Sequence, residues 1–165
     1  MYDFQTQFKE GKVAEAAMDN FFQQWYEITP VSRDAERKGV DRIFTHKDDG
    51  RKYVVEYKAD SVAAKTGNVF VETVSVDTSN KLGWAYTSYA QLLIVYIPPK
   101  GDIFVCHMSL VKGLLPVWTK LYPLKSSQND GYKTWGVLVP LHEIRNTAWQ
   151  IFKIAPAEMQ VNEPG

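Results

Sequence analysis

Glu56 and Lys58 stand two residues apart in the apolar run Tyr53-Val54-Val55-Glu56-Tyr57-Lys58. Strand side chains alternate faces with a period of two, so both groups project to one side. A charged pair on the face of a β-branched strand lowers stability unless a partner compensates it. A metal ion with an activated water is one such partner, and it would bring hydrolytic chemistry with it.

The upstream sequence supplies a second carboxylate. Residues 40–46 have strand character, and Lys47-Asp48-Asp49-Gly50 is a turn signal before Arg51. With Asp49-Gly50 as a two-residue hairpin loop, Asp41 pairs with Lys58 and Ile43 with Glu56. With the four-residue loop Lys47 to Gly50, Asp41 pairs with Glu56. Both registers place Asp41, Glu56 and Lys58 on one face, whereas a three-residue loop turns Asp41 away.

A third acid comes from an N-terminal helix expected over residues 11–26. Its apolar residues Val13, Ala14, Ala17, Met18, Phe21, Phe22 and Trp25 recur at helical spacing. Glu15 lies three residues before Met18 and seven before Phe22, on the same stripe. Two readings follow: Glu15 faces the other carboxylates, or it sits at the stripe's edge paired with a Lys or Arg.

Gly11-Lys12-Val13-Ala14-Glu15, then Asp41, then Glu56-Tyr57-Lys58 together resemble the PD-(D/E)XK nuclease superfamily, the restriction-endonuclease-like and Holliday-junction-resolvase-like enzymes. The resemblance covers about the first half of the chain. It extends to Lys65-Thr66-Gly67-Asn68-Val69-Phe70-Val71-Glu72, similar to the third-strand segment of some members. Two departures stand out: Val40, not proline, precedes Asp41, and Gln91 follows Ala90 where some relatives carry an acid.

The resemblance implies a Mg²⁺-dependent endonuclease, with Mn²⁺ able to substitute, acting on duplex or branched DNA. Asp41 and Glu56 would hold the metal with the backbone carbonyl of Tyr57. Lys58 would orient or deprotonate the attacking water, and Glu15 would serve a second ion or an outer water. Such a set suits Mg²⁺, which prefers oxygen ligands and keeps several waters. A homodimer would cut both strands. The alternative is a degenerate family member that binds nucleic acid or a partner protein without cleaving.

Glu72 alternates onto the face of Phe70, Val74 and Val76. It is read either as a carboxylate supporting Lys58 or as half of a structural ion pair. Lys65 and Asn68 are candidates for a phosphate contact, although Thr66-Gly67-Asn68 also reads as a turn. Lys81 and Trp84 open a half of the chain in which Tyr86, Tyr89, Trp118, Tyr122 and Trp135 interleave with lysines. That pattern can stack unpaired bases, or it can be core.

The elements that would position these groups form an α/β fold: a single domain over residues 1–155, with a mixed central β-sheet flanked by helices, restriction-endonuclease-like. Leu92-Leu93-Ile94-Val95-Tyr96-Ile97 reads as a central strand, turning at Pro98-Pro99-Lys100-Gly101 into a strand over residues 102–107. A helix follows over 109–122 with Ser109 as its cap, then a flexible stretch over 125–131. A strand over 132–139 and a closing helix over 141–154 complete the domain, leaving 156–165 as a loosely held tail.

With 165 residues, 45% hydrophobic and 13% aromatic, the chain has the material for a packed core. No apolar run reaches membrane-spanning length, and the first residues do not read as a secretory signal. The single cysteine, Cys106, excludes an intramolecular disulfide framework and suggests a cytoplasmic setting. Lys plus Arg equals Asp plus Glu at 19 each, so there is no global basic footprint. From Lys81 to Lys133, however, six lysines face only Asp102 and Asp130. His46, His107 and His142 lack metal-ligand spacing, and no P-loop or dinucleotide fingerprint occurs.

Overall fold

The computed structural model describes the backbone of residues 4–156 and side chains from residue 9 onward. Helix α1 runs Phe4–Phe22 and lays Ala14, Met18 and Phe22 into the core. It ends before the expected residue 26, because Tyr26 opens strand β1 (Tyr26–Pro30). The β-branched residues Ile28 and Thr29 then pair with Phe44 and Ile43. A short helix α2 (Arg33–Arg37) starts at Ser32, whose hydroxyl accepts from the Ala35 N–H.

Strands β2 (Arg42–His46) and β3 (Lys52–Ala59) form an antiparallel hairpin. Thr45 pairs with Lys52 and Arg42 with Val55. His46 N–H donates to Arg51 O at 2.7 Å, which leaves the four-residue loop Lys47 to Gly50. Of the registers open from the sequence, this is the four-residue one. The chain then passes through α3 (Ala63–Thr66), β4 (Asn68–Val76), a 3₁₀ turn, β5 (Lys81–Leu82) and α4 (Trp84–Thr87). It returns as β6 (Leu92–Ile97), parallel to β3, and turns back as β7 (Asp102–His107).

Helix α5 spans Met108–Leu121, with His107 rather than Ser109 at its cap. Of the stretch expected to be flexible over 125–131, residues up to Gln128 belong to a strand: β8 (Leu124–Gln128) pairs with β9 (Lys133–Pro140). The expected closing helix is also divided, into α6 (Leu141–Thr147) and β10 (Gln150–Lys153). Ile144, Ala148 and Phe152 do fall at helical spacing. Yet Trp149 N–H donates to Val105 O, and Ile151 and Phe152 pair with Phe104 and Ile103, so the free edge of β7 captures the segment. Of the tail expected over 156–165, residues 157–165 lie outside the described residues.

The result is a single α/β domain. Among the described residues its mixed sheet is six-stranded, in the order β1-β2-β3-β6-β7-β10. Strand β4, third in the sequence reading after β2 and β3, lies outside that sheet and belongs to a second, four-stranded antiparallel sheet in the order β5-β4-β9-β8. Both faces of the first sheet are covered, which is why β6 is buried throughout. One face packs on α1 through Phe44, Val55, Tyr57, Ile94 and Val105. The other packs on the second sheet and α5 through Leu93, Val95, Phe104, Val71, Val137 and Trp118.

No helix among the described residues is long and apolar enough to cross a membrane. Cys106 is buried, and that burial pushes its thiol up to about 12.

Candidate metal and hydrolytic site

Glu56 alternates onto the face of β3 that looks toward the second sheet, opposite Leu93 of β6. It is only 3% exposed. One of its oxygens, Oε1, lies 3.1 Å from Lys58 Nζ. The other, Oε2, is buried with no hydrogen-bond partner in the protein. A carboxylate oxygen stripped of water and left without a donor carries a large desolvation cost. Lys58 is 38% exposed at its side chain, and its ammonium lies 5.6 Å from the centre of the Trp84 ring.

Asp41 sits one residue before the first paired position of β2. Its N–H donates to Val55 O at 2.8 Å, and its Oδ2 accepts from the Tyr57 N–H at 2.7 Å. These two bonds bracket Glu56. Here β2 has run out while β3 continues, and the Asp41 carboxylate takes the ladder position a backbone carbonyl would have filled. The Tyr57 carbonyl projects toward the same edge, since N–H and C=O of one strand residue point the same way. The neighbouring residues agree: Val54 O accepts from Gln91 on the β6 side, and Asp60 N–H reaches Tyr96 O there.

The charges at this edge act on one another. Burial, more than any other cause, raises the Asp41 carboxyl above its usual range, and Glu56 and Glu15 raise it further. The Tyr57 N–H and Lys58 pull in the opposite direction without prevailing. Asp41 and Glu56 are therefore two carboxylates close enough to feel each other, both partly or wholly removed from water.

Glu15 approaches from the α1 side but is engaged elsewhere. Its Oε2 lies 3.4 Å from Arg42 Nη2 and 3.7 Å from Lys12 Nζ. Arg42 also grips Asp19 through Nε at 3.1 Å, and Asp19 accepts from the Tyr57 hydroxyl at 2.8 Å. Of the two readings of Glu15, the structure has the edge position with basic partners. Asp19 and Arg42 escaped the sequence reading. The signal was present, because Glu15 and Asp19 are four apart on one helical face, where a cation between them relieves their repulsion.

The remaining candidates scatter around this centre. Glu72 is opposite Gly136, and its Oε1 accepts from the Trp84 N–H at 3.4 Å. Its link to Lys58 therefore runs through Trp84. Trp84 itself is 8% exposed, packed in the core beneath Lys58. Asn68 donates to Thr66 O at 3.3 Å, completing the turn before β4. Lys65 and Lys81 are exposed on α3 and β5.

The chain matches no family model, no curated protein and no solved structure.

Among the described residues no group of three or more His, Cys, Asp or Glu side chains is arranged to hold a metal ion. Two carboxylates and a backbone carbonyl nevertheless suit a hard cation that retains water, as Mg²⁺ does. Glu56 Oε2 is buried without a hydrogen-bond partner, and the Asp41 carboxyl nearby is raised chiefly by burial, so these are the oxygens a cation here would meet. By type, two carboxylates and a carbonyl, the donors fit the ion.

Proposed function

We propose that the protein is a Mg²⁺-dependent nuclease that hydrolyses DNA phosphodiester bonds at the Asp41–Glu56–Lys58 edge. The observation carrying this reading is the buried, partnerless Glu56 Oε2 beside a carboxyl already raised by burial. A purely structural Glu–Lys pair has no need of a second carboxylate next to it.

Asp41, Glu56 and the Tyr57 carbonyl would hold the cation, with Mn²⁺ as an alternative. Bound there, a divalent cation lowers the pKa of a water and offsets charge on the scissile phosphate. Tyr57 N–H fixes the Asp41 carboxylate, so its free oxygen is aimed before any ligand arrives. Lys58 stands with its ammonium between Glu56 and the Trp84 face, placed to orient the attacking water and to stabilise charge developing on the phosphate. Glu15 acts from outside the ligand set, holding Arg42 and adding negative potential at Asp41. The buried thiol of Cys106 suits a reducing, cytoplasmic setting.

The test incubates plasmid, linear, single-stranded and branched DNA with the protein in Mg²⁺, Mn²⁺ or EDTA, beside Asp41→Ala, Glu56→Ala and Lys58→Ala. Metal-dependent cleavage should fall by at least about a hundredfold in each variant. Cleavage surviving in Glu56→Ala would place the activity elsewhere. Binding without cleavage in the unmodified protein would favour the degenerate, non-cleaving reading.

A further inference from the structure

The segment from Trp84 to Tyr89 runs along the candidate site from one end to the other. At its start, the Trp84 ring lies under the Lys58 ammonium. At its end it is tied to the residues just before Asp41. Tyr89 N–H donates to Lys38 O at 2.9 Å, and Ser88 Oγ donates to Gly39 O at 2.6 Å. Lys112 Nζ holds the Ser88 carbonyl from α5 at 2.6 Å. Gly39 adopts φ +73°, and a Cβ there would lie 2.9 Å from Ser88 Cβ, so the two backbones are in close contact. Ala85, Ser88 and Ala90 are buried.

This segment is thus a wall whose inward side chains are core and whose outward ones are Tyr86, Thr87 and Tyr89. Tyr86 is 47% exposed and Tyr89 is 72% exposed, while the Lys38 ammonium lies 5.9 Å from the Tyr89 ring centre. A tyrosine held out into water on a rigid backbone loses little entropy when a flat apolar group covers it. A cation beside the ring adds affinity for a phosphate.

Resting on the nuclease reading above, we infer that Tyr89, with Tyr86 and Lys38, is a stacking platform for an unpaired base next to the scissile phosphate. The substrate class is then single-stranded or locally unpaired DNA rather than a continuous duplex. A base inside a duplex is already stacked on both faces, whereas an unpaired one offers its π-face to the ring.

The test measures binding rather than cleavage, by fluorescence anisotropy of a labelled oligo-dT strand and of a duplex of equal length. Ca²⁺ replaces Mg²⁺, and Tyr89→Ala, Tyr89→Leu, Tyr89→Trp and Tyr86→Ala are compared with the unmodified protein. Single-strand binding should exceed duplex binding. Tyr89→Ala and Tyr89→Leu should weaken it about tenfold, Tyr86→Ala should weaken it less, and Tyr89→Trp should restore it. An unchanged affinity in Tyr89→Ala, an equal loss on duplex, or Tyr89→Leu binding as well as Tyr89→Trp would each overturn the platform. The two readings separate cleanly. Single-strand binding that depends on Tyr89 in a protein that never cleaves keeps the platform and removes the nuclease. Glu56-dependent cleavage with an idle Tyr89 does the reverse.

Discussion

Glu56 carries its carboxylate where water does not reach, and Lys58 is the cation within contact. Removing that cation leaves an uncompensated buried charge, which is more costly than removing both partners. Lys58→Met is therefore expected to lower stability by about 2 kcal/mol, the partial exposure of Lys58 holding the loss below that of a fully buried pair. The double variant Lys58→Met, Glu56→Gln should recover most of it. Urea unfolding of the four proteins in EDTA decides this, and additive losses would show that the two residues do not depend on each other. Asp41 poses the complementary case, because its folded carboxyl is raised, chiefly by burial. The folded state holds that proton more tightly than the unfolded chain. Its contribution is complete below the unfolded value of about 3.9 and is lost as pH rises through the folded one. Asp41→Asn keeps an oxygen for the Tyr57 N–H and never ionises. Its metal-free Tm should exceed that of the unmodified protein by about 2–4 °C near neutral pH, with the gap closing near pH 4. A gap independent of pH would mean that the Asp41 charge does not matter to the fold. The same proton competes with a cation, so Mg²⁺ stabilisation should weaken as pH falls.

At the scale of elements, the β2–β3 hairpin takes the four-residue loop, one of the registers its sequence allows. Asp49-Gly50 suits a two-residue loop, yet four residues intervene because His46 and Arg51 close the ladder and Gly50 takes φ +71°. Strong local patterns were legible: β3, β6 and β7 lie where alternation and apolar runs put them. What escaped was set by distant partners. Strand β10 exists because β7 has an open edge, and β4 joins β9 rather than β3's sheet, facts no window of sequence contains. The wall beside the site is similarly non-local, since Gly39 meets Ser88 across 49 positions. Gly39→Ala should lose about 2–3 kcal/mol, combining a strained positive φ with the Ser88 clash. Gly50→Ala supplies the control, because its φ is nearly the same and nothing lies within 4 Å of the added carbon. A smaller loss at Gly50, about 1 kcal/mol, isolates the packing contribution. Equal losses by chemical denaturation would show that Gly39 is needed for its backbone angle alone.

For the whole molecule, charge sets the terms of any encounter with a polyanion. Nineteen basic residues balance nineteen acidic ones, and at the site Glu15 and Asp19 are paired with Arg42, which leaves Asp41 and Glu56 against the single ammonium of Lys58. A phosphate approaching this edge is repelled until a divalent cation neutralises the carboxylates. Affinity for DNA should therefore depend on that cation first and on surface lysines second. Each phosphate neutralised by Lys or Arg contributes about −0.9 to the slope of log K against log salt for duplex and about −0.7 for single strands. With Lys58 and Lys38 as the cations placed at the site and its wall, and one further lysine allowed, the slope for a single strand should be about −2. Anisotropy titrations in Ca²⁺ from about 50 to 200 mM salt measure it directly, and the same titrations in EDTA should show little binding. A slope near −6 would require many more cations than this edge presents, and would mean that DNA lies across a different surface or bridges two copies of the chain. Binding undiminished by EDTA would separate DNA affinity from the carboxylate pair, since no cation would then be needed to relieve the repulsion.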